Sequence, residues 1–226
     1  MFIGHFGVAF ALKKYVPKTS LALLFIGVQL VDIIFDTLFT LGFEHAQIVP
    51  GFTEASPFDL YDYPISHSLL GSILWSIVTF LAVRYIPLWH AEDTSYRQRL
   101  ALVMSLAVLS HFFLDFLVHT PDLLLIPGLD IKVGLGLWNS IIVSTAVELA
   151  ILIVGCLMYI RTAPKGTEPV GKYGMPIFMI ALGIITVITP FNTYPDFQSG
   201  VIEGSVILTV LILVAWWLDK KRYTTF

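Results

Sequence analysis

Charged residues and cysteines are scarce in this chain. Of its 226 residues only 13% are Asp, Glu, Lys or Arg, while 57% are hydrophobic and the mean hydropathy is +0.84. A typical soluble domain carries about 25% charged residues, so this chain lacks the polar surface of one. Its single cysteine, Cys156, excludes an internal disulfide and a zinc site built from cysteines. The net charge of −3 gives no sign of a nucleic-acid partner.

Long apolar runs predict an all-α, polytopic membrane bundle. A helix needs about 20 apolar residues to cross the hydrocarbon core, and an open-ended segment satisfies its backbone there only as a helix. The runs predict six transmembrane helices, over residues 20–43, 64–85, 100–119, 135–160, 173–189 and 201–218. The start, "MFIGHFGVAFALKK", has its lysines after the apolar stretch, the reverse of a signal peptide, and predicts an additional embedded amino-terminal helix.

Basic residues predict the orientation of this bundle. If the six segments alternate across the membrane, twelve of the thirteen Lys and Arg residues fall on one side, and only Lys132 falls opposite. Lysine and arginine concentrate in cytoplasmic loops, so both termini are expected to be cytoplasmic.

Two connecting segments indicate how the chain is organised. The long outer loop "EHAQIVPGFTEASPFDLYDY" is too polar for lipid and is expected to cap the outer face. The linker "RTAPKGTEPVGK" separates a membrane core, residues 1–160, from residues 161–226, which carry the linker and two supporting spans.

Ionisable residues inside the predicted spans suggest a functional site, because unpaired charges are costly in lipid. A helical rise of 1.5 Å per residue gives two adjacent depths, measured from the basic end of the bundle. They are about 18–20 Å for His5, Asp32, His111 and Glu148, and about 24–25 Å for Asp36, His67 and Asp115. Spacings of four residues place Asp32 with Asp36, and Asp115 with both His111 and His119, on shared helix faces. The whole set, from five segments, is His5, Asp32, Asp36, His67, His111, Asp115, His119 and Glu148.

Histidine nitrogens and carboxylate oxygens together favour a divalent metal, with zinc first and manganese or iron as alternatives. A lone His or Asp in a membrane helix is more often a packing residue, but convergence at matched depths favours a metal or proton site. Asp36 and His119 lie nearest the outer surface, where the alternative is an ordinary solvated group. Ser68 is more simply explained by close helix packing than as a nucleophile.

Four short motifs resemble the bacterial membrane-bound metal-dependent hydrolases, also called LexA-binding inner-membrane hydrolases, which are grouped with zinc-dependent phospholipase C. The motifs are "GH" near the start, Asp32, "HS" opening the second span, and "SHFFLD" in the third. The resemblance covers roughly residues 1–150 and implies a bacterial inner-membrane location. It implies metal ligation by His5, Asp32, His67, His111 and Asp115.

The chain also departs from the family pattern. The family's second aspartate in "PDID" is replaced by Ile34, with Asp36 as a possible substitute, and Asp62 stands where "HRGFTHS" has its first histidine. Glu148 is similar to a late glutamate of the phospholipase C group.

These patterns lead to two functional hypotheses. The first is a metal-dependent hydrolase of a lipid or lipid-linked phosphoester in the outer half of the membrane. Glu148 or Asp36 would act as general base, and His119 and Asp62 would be further metal ligands. The second is a transporter that uses the same acids and histidines as a proton or cation site. A catalytically inactive relative acting as a binding or assembly factor stays open, as does the oligomeric state.

Overall fold

The fold is described from a computed structural model, over residues 1–86 and 93–223. Within these ranges the chain forms eight α-helices and two short pairs of strands. The helices are α1 (Gly4–Leu12), α2 (Leu21–Val28), α3 (Leu30–Thr40), α4 (Leu69–Tyr85), α5 (Thr94–Val118), α6 (Ile141–Thr162), α7 (Pro169–Ile188) and α8 (Phe197–Tyr223). The strands are β1 (His45–Ile48), β2 (Phe58–Asp62), β3 (Leu123–Leu124) and β4 (Lys132–Val133).

Four helices are long and apolar enough to cross a membrane: α5, α6, α7 with its 3₁₀ extension to Phe191, and α8. Helices α2 and α3 together would make a fifth crossing, although they meet at an angle of 55°. Helix α4 is apolar but has only 17 residues. The structure therefore supports membrane association through at least four helices, while six crossings and cytoplasmic termini stay predictions.

Side-chain caps fix where several helices begin. The Ser20 hydroxyl accepts from the Ala22 amide at the start of α2, and Ser68 accepts from Gly71 at the start of α4. Ser140 does the same for α6 through the Val143 amide. Each cap satisfies an amide that has no partner within its helix. Because Ser68 is the cap of α4, His67 lies just before that helix and can face the bundle interior.

Helix α1 lies in the core of the bundle, where six of its nine residues are buried. Its Phe6 stacks on Phe25 of α2 at 4.3 Å, and Phe10 packs edge-on against Tyr159 of α6 at 5.4 Å between ring centroids. Glycines allow α1 and α6 to approach at backbone distance. A Cβ atom added at Gly155 of α6 would collide with the carbonyl of Gly7 in α1.

The long outer loop forms an antiparallel hairpin, in which β1 pairs with β2. We call residues 45–62 the cap. The cap is attached to the start of α6, where the Ala55 amide donates to the Trp138 carbonyl at 2.9 Å and the Glu54 carboxylate accepts from the Ile141 amide at 2.9 Å. The all-α prediction is therefore incomplete. The four short strands lie in the connections between α3 and α4 and between α5 and α6, which the apolar runs leave as loops.

Candidate metal centre

Asp115 of α5 is the centre of a cluster of four histidines. The Nε2 atoms of His111, His67 and His119 lie 3.0, 3.7 and 3.8 Å from one oxygen of Asp115, Oδ2. The Nε2 atom of His5 lies 3.2 Å from the other oxygen, Oδ1. All five side chains are almost fully buried. The four-residue spacings along α5 place Asp115 beside both His111 and His119, as predicted.

The break between α2 and α3 orients His111. Val28 is the last residue of α2, where helix carbonyls lack partners within the helix. Its carbonyl accepts from His111 Nδ1 at 2.8 Å, so in the neutral ring the Nε2 lone pair faces Asp115 and Asp32. Nε2 lies 3.3 Å from Asp32 Oδ1 but has no hydrogen-bond partner among the described residues. A buried nitrogen that faces two carboxylates without a hydrogen bond has the environment of a metal ligand.

His67 is oriented by a buried relay through Ser66 to Glu44. The Ser66 hydroxyl donates to Glu44 Oε2 at 2.6 Å and therefore accepts from His67 Nδ1 at 2.8 Å. Glu44 Oε1 accepts from the amides of Ile65 and Ser66, so the carboxylate is fully used. When the ring is neutral, the lone pair of His67 is therefore on Nε2, which lies 3.3 Å from Asp32 Oδ1. The residue patterns do not predict this role of Glu44, because Glu44 lies in the loop after α3.

His119 is oriented by Asp122 and Tyr63. Its Nδ1 lies 3.1 Å from Asp122 Oδ1 and 3.2 Å from the Tyr63 hydroxyl, which itself donates to Asp122 at 2.6 Å. Burial raises the pKa of Tyr63 well above its ordinary value, and the neighbouring Asp122 raises it further. For Asp122 burial acts in the same direction, but hydrogen bonding with His119 and Tyr63 outweighs it and lowers the pKa. Trp138 packs on the His119 ring at 4.4 Å, so His119 is a buried, held residue and not a solvated one.

His5 completes the cluster from α1. Its ring stacks on that of His111, with centroids 4.0 Å apart and planes within 5°. Its Nδ1 has no hydrogen-bond partner among the described residues. The amino group of Met1 donates to Asp115 Oδ1 at 2.7 Å, a contact that the residue pattern does not predict.

Two overlapping groups in this cluster could hold a metal ion. One is His5, His111 and Asp115, and the other is Asp32, His67 and His111; within each group the ligand atoms lie within 4.8 Å of one another. The five residues that the family resemblance implies as ligands are thus brought together.

The remaining candidates lie at the edge of the cluster or outside it. The Glu148 carboxylate accepts from the Gly4 amide at 3.1 Å, and Asp36 accepts from the Ser205 hydroxyl at 3.0 Å. Asp62 lies on β2 of the cap, where it pairs with His45 at 3.0 Å, and both side chains are about half exposed. Because Asp62 is held on the surface of the cap, the structure does not bring it to the cluster as the prediction requires.

A cavity of about 420 Å³ leads to the cluster. We call it the access cavity. Its polar base is formed by Asp32, His67, Asp115, His119 and Glu148. Its walls are mostly apolar and come from α3, α7, α8 and the cap, including Phe35, Phe58, Ile188, Phe197, Val201 and Leu208.

Comparison of the chain with models of protein families, with curated proteins and with solved structures finds no match. The membership of a hydrolase family therefore stays a prediction from the motifs.

Proposed function

We propose that this protein is an integral-membrane, metal-dependent hydrolase that acts on a lipid or a lipid-linked phosphoester. One observation carries the proposal: the Nδ1 atoms of His67, His111 and His119 each have a partner outside the cluster, and their Nε2 atoms converge on one carboxylate oxygen. Outer hydrogen bonds of this kind fix the tautomer of metal-binding histidines. Three neutral imidazoles held in this way would direct their Nε2 lone pairs at one point, where a metal ion would be bound.

Neutral imidazoles and carboxylates suit zinc, with manganese and iron as alternatives. A bound zinc would lower the pKa of a water molecule to about 7 and polarise a phosphoryl oxygen. His5, Asp32, His67, His111 and Asp115 would hold the ion, and the Glu44, Val28 and Asp122 contacts would keep the histidines in place. Glu148, which lines the access cavity beside the cluster, or Asp36, which lies farther along α3, would accept a proton.

The access cavity supports an amphipathic substrate. A polar headgroup fits the charged base, and apolar walls fit an acyl or prenyl chain. Its volume of about 420 Å³ lies in the range of about 300–1,000 Å³ that is usual for small-molecule sites. We propose a lipid or lipid-linked molecule as the partner.

Six crossings with both termini in the cytoplasm are part of this proposal. Helices α2 and α3 would form one bent crossing, and α4 a short one. The twelve basic residues would then face the cytoplasm, and the cap would face outward from a bacterial inner membrane. The motif resemblance and the distribution of Lys and Arg support this orientation.

The proposal is tested by metal content and phospholipid cleavage together. Purified wild-type protein is expected to contain bound transition metal and to cleave the phosphoester of a phospholipid in mixed micelles. His111→Ala and Asp115→Ala are expected to abolish both, since each removes a group at the centre of the cluster. Asp62→Asn is the control, because Asp62 is held on the cap and both properties should survive. Well-folded wild-type protein without metal would contradict the proposal.

The second candidate is a transporter, and the 55° break between α2 and α3 favours it. Broken helices carry the ion and substrate sites of many secondary transporters. Coupled ion flux into proteoliposomes that persists after the metal is removed would support transport. Flux that is absent in proteoliposomes containing active hydrolase would exclude it.

A further inference from the structure

A second cavity lies at the opposite, lysine-rich end of the bundle and has a volume of about 650 Å³. We call it the basic pocket. It lies between the segment that follows α1 and the last turns of α8. Three lysines line it, Lys13, Lys18 and Lys220, together with one acid, Asp219, and Trp216.

Both carboxylate oxygens of Asp219 already accept hydrogen bonds from groups of the protein. Its Oδ2 accepts from Lys13 Nζ at 2.7 Å and from the Leu21 amide at 3.0 Å, and its Oδ1 accepts from the Tyr159 hydroxyl at 2.9 Å. Lys13 and Asp219 are both buried and neutralise each other. This pair therefore leaves no negative charge for the other lysines.

Lys18 and Lys220 are exposed cations at the same pocket. Lys18 lies over the Tyr96 ring at 5.9 Å and Lys220 over the Trp216 ring at 5.4 Å. Neither forms an ion pair with any residue that the structure describes. Aromatic contacts hold the two ammonium groups without neutralising them.

Arg222 adds a buried cation on the same stretch of α8. It is 3% exposed, donates to the Gly171 carbonyl at 3.4 Å and lies over the Tyr159 ring at 5.5 Å. Its Nε atom has no hydrogen-bond partner among the described residues. Positive charge at this end of the bundle thus exceeds what Asp219 can balance.

We propose that the basic pocket binds the phosphate group of an anionic membrane lipid between Lys18 and Lys220. The two ammonium groups match the negatively charged oxygens of a phosphate ester. A lipid is the source because Trp216, which lines the pocket, and its neighbour Trp217 on α8 are about half exposed at the end of an apolar helix, where tryptophans mark a membrane interface. Basic pockets between helices at the cytoplasmic end recognise acidic headgroups. This inference is independent of the hydrolase proposal.

The test measures lipid binding to the full-length protein in detergent by native mass spectrometry. Phosphatidylglycerol and phosphatidylcholine are titrated against wild type, Lys18→Gln/Lys220→Gln, and the control Lys14→Gln/Lys172→Gln. The control removes the same charge from exposed lysines outside the pocket. At about 1 kcal/mol per lysine, we expect phosphatidylglycerol to bind about 30-fold more weakly to the pocket variant. Binding to the control is expected to match wild type.

Single substitutions of Lys18 or Lys220 should each weaken binding about fivefold. Both side chains are exposed, so melting temperatures close to that of wild type are expected. Equal losses in the pocket and control variants, or phosphatidylcholine binding as tight as that of phosphatidylglycerol, would overturn the proposal. Inorganic phosphate that binds to the pocket as tightly as phosphatidylglycerol would overturn the assignment to a lipid.

Discussion

At the scale of single residues, the orientation of the histidines in the cluster is set by groups that lie outside it. Each of the three convergent histidines has a different outer partner: a backbone carbonyl for His111, a serine hydroxyl for His67 and a carboxylate for His119. The serine is the most informative, because a hydroxyl both donates and accepts. Only its bond to Glu44 makes it an acceptor for His67.

Glu44→Gln is therefore expected to reverse the direction of the hydrogen bonds that connect Glu44, Ser66 and His67, while the positions of the three side chains are preserved. The Gln oxygen can still accept from the amides of Ile65 and Ser66, but its NH₂ group would donate to the Ser66 hydroxyl. The hydroxyl would then donate to His67 Nδ1, which moves the ring proton to Nε2 and blocks metal ligation. We expect metal affinity to fall about 10–100-fold, as for other outer-partner substitutions, measured by competition with a chelating dye.

Ser66→Ala should also weaken the affinity, since it removes the acceptor of His67. Asp62→Asn is the control of matched chemistry, because that carboxylate serves only an exposed pair on the cap. Unchanged affinity in Glu44→Gln would show that His67 is not a ligand or is not oriented by this relay.

At the scale of the helices, the sequence predicts which residues share a helix face and how deep they lie better than it predicts where each helix begins and ends. The spacing along α5 and the helical rise suffice to bring His111, Asp115 and Asp32 together, because a regular helix fixes both. The break at Gln29 is not predictable from the apolar pattern, because that pattern continues on both sides of it. The roles of Glu44, Tyr63 and Asp122 could not be predicted for a related reason. Loop residues follow no regular spacing, so the positions of these side chains depend on the tertiary structure.

Helix α1 reaches the cluster only because glycines let it lie against α6. A Cβ atom at Gly155 would collide with the Gly7 carbonyl, so Gly155→Ala must push α1 and His5 away from α6. We expect a loss of about 1–3 kcal/mol in the free energy of unfolding, together with reduced metal content. Thermal unfolding and elemental analysis measure the two effects.

The control for this change is Gly183→Ala in α7. A Cβ atom there meets only Leu149 Cδ2, at an ordinary distance of 3.8 Å. Because alanine favours a helix over glycine by about 0.5–1 kcal/mol, that variant should be as stable as wild type or slightly more stable. Equal stability of Gly155→Ala and Gly183→Ala would contradict the close packing of α1 on α6.

At the scale of the whole molecule, the cluster and the access cavity come from different parts of the chain. Residues 1–148 supply the candidate ligands, and α7 and α8 supply much of the apolar wall. The last two long helices are thus more than supports, because they shape the route to the cluster. Metal binding and substrate binding should therefore respond separately to substitution.

Gly204→Leu tests this separation. Gly204 of α8 lines the access cavity, and a Cβ atom added there meets nothing within 4 Å, so a leucine can enter the empty space without disturbing the fold. We expect unchanged metal content and a loss of at least about tenfold in kcat/KM for a long-chain lipid, about 1.4 kcal/mol. Val206→Leu is the control, since Val206 is 59% exposed on the same helix. If Gly204→Leu cleaved the lipid as fast as this control, the lipid chain would have to reach the cluster by another route. Loss of metal from Gly204→Leu would show that α8 helps to hold the cluster itself.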